Sequence, residues 1–396
     1  MVDKTQKIEE VLTRGVEKIL PNKEGLAKLM SQKKIRLYLG VDPTSPNLHL
    51  GHVIPLRKLQ QFADLGHEAI LLFGTFTAQI GDPSGRDERR KPLTAEQVEK
   101  NMADYQKQAS KVLNFSKVKI KRNGDWLSKL TFSDVSELAS RFTVPRIMER
   151  DMFQERLKKG EDIWLNEFLY PLMQGYDSVA MDVDLEIGGN DQTFNMLAGR
   201  KLQKDINKKE KFVLTTPMLV GLDGRKMSKT FGNTVNIADE PNEMYGKIMS
   251  LKDELIIPYF QICTDIESRE IAIMEKELKA NKINPRDTKA RLAGEIVKMY
   301  HGEKAAKAAS IEFDRVFKDK KLPQDIDKIS IKEKEMPIID LLVKTKLAVS
   351  KSSAKRLIIQ GAVKIDDKPQ SDWQAVIAIK KGMAIKAGKR KFCQIA

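Results

Sequence analysis

Ile35-Arg36-Leu37-Tyr38-Leu39-Gly40-Val41 runs straight into Asp42-Pro43-Thr44-Ser45-Pro46, and His49-Leu50-Gly51-His52 follows. The first run is mostly apolar and reads as a strand. The two prolines and their polar neighbours make the next five residues a loop. A helix is expected from near His49 towards Leu65, ended by Gly66, and Glu68 to Phe73 reads as a second buried strand. Strand, loop, helix and strand in that order open a doubly wound α/β domain, so the fold class expected here is α/β.

Working outward, residues 1–32 read as charged amphipathic helix, and Gly81-Asp82-Pro83-Ser84-Gly85 as a tight polar turn. Thr94 and Gln97 fit a capping box that opens a helix through about Leu113. Residues 130–180 read mainly as helices and Val183 to Ile187 as a strand. After Thr215 the glycine-containing turn Gly221-Leu222-Asp223-Gly224 leads into Lys226-Met227-Ser228-Lys229-Thr230, and residues 240–320 carry a helical pattern. The expected domains are 1–220, with a helical insertion at about 115–182, and a helical domain at 221–321. A charged linker flanked by prolines at 322–336 and a small domain at 337–396 follow.

The chain has 396 residues and a formal net charge of +15, which points to an acidic partner such as nucleic acid or simply to solubility. Charge placement favours the partner: residues 337–396 hold 13 Lys or Arg against 4 Asp or Glu, a net +9. Cys263 and Cys393 give neither a disulfide framework nor metal-ligand spacing, so no metal site is expected and a reducing cytoplasm is the default. The charged start MVDKTQKIEEVLTRG lacks the apolar core of a signal peptide, and apolar runs such as Ala69–Phe73 are too short to span a membrane.

Two elements carry the chemistry. His49 and His52 sit where a helix begins, and helix N-termini attract phosphate through free N–H groups and the positive dipole end. Gly51 between them lets a flat base approach the backbone. By itself this four-residue pattern fits two ordinary polar residues at a cap. Lys226 and Lys229 place two ammonium groups on one loop, able to close on a triphosphate and stabilise a departing pyrophosphate. Read alone it is a solvated lysine loop; the two elements in this order make an ATP site the better reading.

HLGH followed by KMSKT resembles the signature pair of class I aminoacyl-tRNA synthetases. The resemblance implies a Rossmann-like catalytic domain, with His49, His52, Lys226, Lys229 and Thr230 binding ATP and stabilising the transition state and Thr44 near the phosphates. Thr230 stands where many members have serine and keeps the hydroxyl. Mg²⁺ accompanies the ATP. Three further segments resemble the tyrosine branch: Tyr38–Thr44, Tyr170-Pro171-Leu172-Met173-Gln174-Gly175-Tyr176-Asp177 and Gly188-Gly189-Asn190-Asp191-Gln192. Tyr170, Gln174 and Asp177 are spaced to share one helix face, and their apolar flanks suggest a polar pocket rather than a solvated face.

By this resemblance Tyr38 and Asp177 hydrogen-bond the phenol hydroxyl of L-tyrosine, while Tyr170, Gln174 and Asp82 hold its α-ammonium group. Asp191 and Gln192 contact ribose and the activated carboxyl region, and Gly40, Asp42, Gly51, Gly189 and Met227 line the adenylate site. Glu186 departs from members with glutamine there; a second bacterial branch has the acidic residue with Asp191-Gln192-Thr193-Phe194-Asn195, and the chain falls near that branch. Arg86, Arg89 and Arg90 fit either pyrophosphate contacts or surface charge.

At the C-terminus Ser350 reads as the N-cap of a basic helix that Gly361 ends, with Ala362 to Ile365 a strand. This segment resembles an S4 RNA-binding domain, which implies that Lys351, Lys355 and Arg356 face a phosphate backbone of tRNA. The family also implies a homodimer. A tryptophan-specific relative and a non-catalytic RNA-binding descendant are the competing readings. Tyr38 with Asp177 disfavours the first, and intact HLGH and KMSKT disfavour the second.

Overall fold

A computed structural model of the chain describes residues 4–44, 47–82, 93–225, 227, 231–317, 326–388 and 391–396. These fall into two compact units: Met1–Glu240 with Ser250–Leu292, and Pro241–Met249 with Ala293–Ala396.

The first unit is built on a six-stranded sheet: β1 (Lys18–Leu20), β2 (Arg36–Val41), β3 (Glu68–Phe73), β4 (Val118–Arg122), β5 (Leu185–Gly189) and β6 (Phe212–Thr216). The strand order is β1-β6-β5-β2-β3-β4. Only β1 runs antiparallel to its neighbour; the other pairings are parallel, with Leu37 opposite both Ala69 and Leu185. Covered on both faces, the central strands are apolar along their length, as in β3, where five of six residues are buried. The chain leaves β2 for β3 and β4 on one side, then crosses to β5 and β6 on the other. That reversal opens a crevice at the carboxyl ends of β2 and β5, the place where open α/β sheets bind ligands.

The helix after β2 spans Leu50–Asp64 with His49 as N-cap, and Thr94 and Gln97 do form a reciprocal capping box on Ala95–Ala109. Residues 1–32 differ from the single helix expected. Residues 4–32 form the helix Lys4–Val11, strand β1 and the helix Lys23–Gln32, which Asn22 caps by accepting from Gly25 N at 2.7 Å. Pairing with β6 overrides the helical pattern there. Strand β4 likewise falls in the segment read as helical insertion. Its alternating lysines look solvated, but its main chain completes the edge of the sheet beside β3. The helices Phe132–Ser140, Val144–Met148, Asp151–Lys159 and Leu165–Met181 follow it.

Lys58 ties the N-terminal helix to this core. Its ammonium group is buried and donates to the carbonyls of Val11 (2.7 Å) and Arg14 (2.6 Å), just where the helix Lys4–Val11 ends. Burial brings its pKa down to about 7. Lys58→Met removes the donor from these carbonyls and is expected to lower stability by about 1–3 kcal/mol. Urea unfolding checks this, and an unchanged midpoint would mean that the carbonyls find other partners.

In the second unit the helices Pro241–Met249 and Glu303–Phe317 pack through Tyr245 and Phe313, whose rings lie 5.5 Å apart. The C-terminal part has helices Ile338–Lys344 and Lys351–Ile359 and a five-stranded sheet ordered Lys368–Gln370, Val363–Ile365, Ala384–Ala387, Lys391–Ile395, Asp327–Ile329. Glu335–Pro337 pairs with Val376–Ala378. The stretch expected as linker therefore contributes two strands to this fold, Asp327–Ile329 and Glu335–Pro337; residues 322–325 lie outside the described residues. Strands of three residues in so charged a stretch carry no apolar alternation, which is why it reads as linker.

Candidate active site

The HLGH residues open the helix that follows β2, with His49 as its N-cap. His49 and His52 stack with ring centroids 3.7 Å apart, and His52 Nδ1 accepts from His49 N at 3.4 Å. The segment beyond the lysine loop is stitched to the same place: Leu50 N donates to Val235 O (2.9 Å) and Ile237 N to Leu48 O (3.0 Å). A Cβ on Gly51 would stand 3.1 Å from the His49 ring and 3.7 Å from Met227 Sδ, so Gly51 and Met227 are neighbours across the two motifs. Lys226, Ser228, Lys229 and Thr230 lie outside the described residues, as do Arg86, Arg89 and Arg90.

Asp42, just past β2, is a hub. Its Oδ2 accepts from the Tyr170 hydroxyl (2.9 Å) and its Oδ1 from Thr77 Oγ1 (2.7 Å), while its carbonyl accepts from Thr44 N (2.8 Å). This cradle requires Gly74, where a Cβ would stand 1.9 Å from Asp42 Oδ1 and 2.3 Å from Thr77 Oγ1. Gly40 is exposed at the end of β2. Gly189, the last residue of β5, leads into the turn Asn190–Gln192, and a Cβ on it would stand 2.6 Å from Asp191 Oδ1. Gln192 Nε2 donates to Asp82 Oδ2 at 2.8 Å, and the buried Arg150 guanidinium lies 4.0 Å from Asp82 Oδ1.

Behind this mouth the helix Leu165–Met181 lays Tyr170, Gln174, Asp177 and Ser178 along the crevice. Asp177 is 3 % exposed; its Oδ1 accepts from Trp126 Nε1 (2.8 Å) and its Oδ2 from Asn123 Nδ2 (3.3 Å). Burial pushes its pKa well above the carboxylate range, against the pull of these two donors. Asn123 also donates to Thr77 Oγ1 (3.0 Å), which connects Asp177 to the Asp42 hub. Tyr38, wholly buried in β2, meets Ser178 Oγ at 3.0 Å and donates to the main-chain carbonyl of Gln174 at 3.4 Å. Burial, followed by the charges of Glu186 and Asp177, raises the Tyr38 pKa far above a free phenol. Gln174 Nε2 donates to Glu186 Oε1 (3.0 Å), and Glu186 pairs with Lys211.

The fold thus gathers Tyr170, Asp42 and Asp177 into one hydrogen-bond network, Tyr38 and Gln174 into a second around Ser178 and Glu186, and Asp82 with Gln192 into a third. Sequence reasoning missed Gly74, Thr77, Asn123, Trp126, Ser178 and Lys211. Asn123 and Trp126 follow the unrecognised strand β4, and Lys211 closes the run Lys208-Lys209-Glu210-Lys211, which looks like surface. In the C-terminal part Lys351 pairs with Asp340 (2.7 Å), Lys355 lies over the Trp373 ring at 3.6 Å, and Arg356 is exposed.

Residues 30–318 match the family of class I tRNA synthetases for tryptophan and tyrosine, and residues 319–395 match the C-terminal domain of the tyrosine–tRNA ligases. The tyrosine–tRNA ligase of Thermotoga maritima is 46% identical over 98% of this chain and 96% of its own length. That of Moorella thermoacetica is 45% identical over 97% of this chain and 94% of its own. Among solved structures, the tyrosyl-tRNA synthetase of Archaeoglobus fulgidus complexed with L-tyrosine matches with a TM-score of 0.63 at 25% identity, over 78% of this chain and all of the other. The truncated mitochondrial enzyme of Aspergillus nidulans shares the fold at a TM-score of 0.66, with 23% identity over 80% of this chain and 95% of its own. A crevice at the sheet's switch point and near-full-length relatives lead to one conclusion: the chain belongs to the tyrosine–tRNA ligases, a branch of the class I aminoacyl-tRNA synthetases.

Proposed function

We propose that the crevice beyond β2 and β5 takes tyrosine and ATP side by side, tyrosine in the pocket floored by Asp177 and ATP against His49, His52 and Gly51. The family's reaction has two steps: tyrosine and ATP give tyrosyl-adenylate and pyrophosphate, and the 3′-terminal ribose of tRNA then takes the tyrosyl group and releases AMP. The observation that carries the pocket reading is the buried Asp177 carboxylate, aimed by Trp126 and Asn123 at the inner end of a helix face that also presents Tyr170 and Gln174. A buried acceptor of this kind favours a ligand with a hydroxyl and penalises one without.

In this reading Asp177 and Tyr38 receive the phenol hydroxyl, and Tyr170, Gln174 and Asp82 the α-ammonium group. Gln192, Asp191, Gly189, Gly40, Asp42 and Met227 line the adenylate, and Thr44, Lys226, Lys229 and Thr230 act on the phosphates. Mg²⁺ arrives with ATP as part of the substrate. The chemistry rests on positioning and on fixed positive charge where the leaving pyrophosphate develops its own.

The net +9 of residues 337–396 supports a tRNA-binding role for Lys351, Lys355 and Arg356 in an S4-like domain. The exposed apolar side chains Phe132, Val144, Leu157, Trp164 and Leu165, all in the helical segment after β4, support a homodimer. Among the described residues no helix is long and apolar enough to cross a membrane, and the cytoplasm is the proposed location.

The test is pyrophosphate exchange with tyrosine, tryptophan and phenylalanine. Tyrosine alone is expected to drive it at low concentration. Tyr38→Phe is expected to narrow the tyrosine-over-phenylalanine preference by about 1 kcal/mol, one neutral hydrogen-bond partner. An unchanged ratio would remove the Tyr38 hydroxyl from substrate recognition.

A further inference from the structure

Beneath the pocket lies a charged pair that the reaction scheme does not use. Lys211 and Glu186 touch, with side chains 0% and 1% exposed. Room for the ammonium group is made by Gly199, where a Cβ would stand 2.5 Å from Lys211 Nζ. Apolar side chains of similar volume would serve stability at least as well as such a pair. Its connections point to a different use. Glu186 Oε1 accepts from Gln174 Nε2 at 3.0 Å, and Lys211 donates to Ser178 Oγ (2.8 Å), which in turn meets the Tyr38 hydroxyl.

A carboxylate oxygen only accepts, so only the NH₂ end of Gln174 can face Glu186. The planar amide then turns its carbonyl oxygen away from Glu186. An acceptor is what an α-ammonium group requires; a flipped amide would point N–H groups at a cation. We infer that the Lys211–Glu186 pair is a positioning element that fixes the Gln174 amide with its carbonyl towards the substrate α-ammonium group, an inference that rests on the pocket reading above. Lys211 supplies the compensating charge that lets a carboxylate stand there at all.

The experiment compares two competitive inhibitors of tyrosine-dependent pyrophosphate exchange: tyramine, which carries the ammonium group, and 3-(4-hydroxyphenyl)propionate, which lacks it. Lys211→Met leaves Glu186 buried without a counter-charge and can fail to fold. The double variant Lys211→Met with Glu186→Gln removes both charges, and the amide that replaces the carboxylate can present either of its ends to Gln174. In the double variant the inhibition constant for tyramine is expected to rise about tenfold, the loss of one oriented hydrogen bond, while that for the propionate stays within about twofold. A general loosening of the pocket would weaken both inhibitors alike. That result, or no change for either, overturns the inference. Gln174→Ala separates it from the reading beneath it. If Gln174→Ala weakens tyramine alone and the double variant does not, the positioning role falls and the pocket reading stands. If Gln174→Ala spares tyramine, the pocket reading falls and the inference with it.

Discussion

Lys229→Ala is expected to slow tyrosyl-adenylate formation about 10²- to 10³-fold in single turnover, the usual cost of removing one preorganised donor from a developing anion. Tyrosine binding, followed by equilibrium titration, should stay within about twofold. The split follows from where the loop is anchored. Met227 lies beside Gly51, and Val235 and Ile237, downstream of the lysine motif, are hydrogen-bonded to Leu50 and Leu48 of the HLGH segment. The proposed tyrosine pocket is built elsewhere, from β2 and the helix Leu165–Met181. A cation that acts when pyrophosphate leaves contributes to the transition state and little to the ground state, so the rate falls and the affinity does not. Single-turnover rates at wild-type level would reduce the loop to a solvated surface feature.

Much of this site is legible in the amino-acid sequence. A strand, a proline-bearing loop and a helix opening on His49 can be read there, because a parallel sheet needs apolar strands and a helix N-terminus attracts phosphate. The spacing of Tyr170, Gln174 and Asp177 puts them on one helix face, that of the proposed pocket. What escapes are the groups whose role comes only from tertiary pairing. Val118–Arg122 alternates lysine with valine and isoleucine, and nothing local says that it lies beside β3. Missing that strand also hides Asn123 and Trp126, which aim Asp177. Lys211 is indistinguishable in sequence from Lys208 and Lys209 and becomes special only because Gly199 opens a buried space for it. The charged stretch before Ile338 reads as linker since strands of three residues hold too few side chains to show a period, yet their main chains pair with Lys391–Ile395 and Val376–Ala378.

That last difference sets where the C-terminal part can be removed. An end near Lys334 would leave Asp327–Ile329 without the strand it pairs with, and would cut just before Glu335–Pro337. An end at Phe317 keeps the helix Glu303–Phe317 and its packing on Tyr245, and takes away a part whose core is drawn from its own residues, among them Leu341, Leu342, Ile358, Val363 and Ile385. The chain ending at Phe317 is expected to fold and to exchange pyrophosphate with tyrosine at close to the full rate. Charging of tRNA should fall on the order of 100-fold, and the salt dependence of tRNA binding should flatten by about 2–3 in log–log slope if Lys351, Lys355 and Arg356 each release counterions. Pyrophosphate exchange and tRNA charging are measured on the same preparation, because the comparison between them carries the conclusion. Equal loss of both would make the C-terminal part a structural support of the catalytic unit. Retention of both would leave the net +9 charge of residues 337–396 without a role on tRNA. Loss of charging alone would separate the two halves of the reaction between two parts of one chain: adenylate chemistry set by the crevice of the parallel sheet, and the hold on tRNA set by a basic domain that folds around its own core.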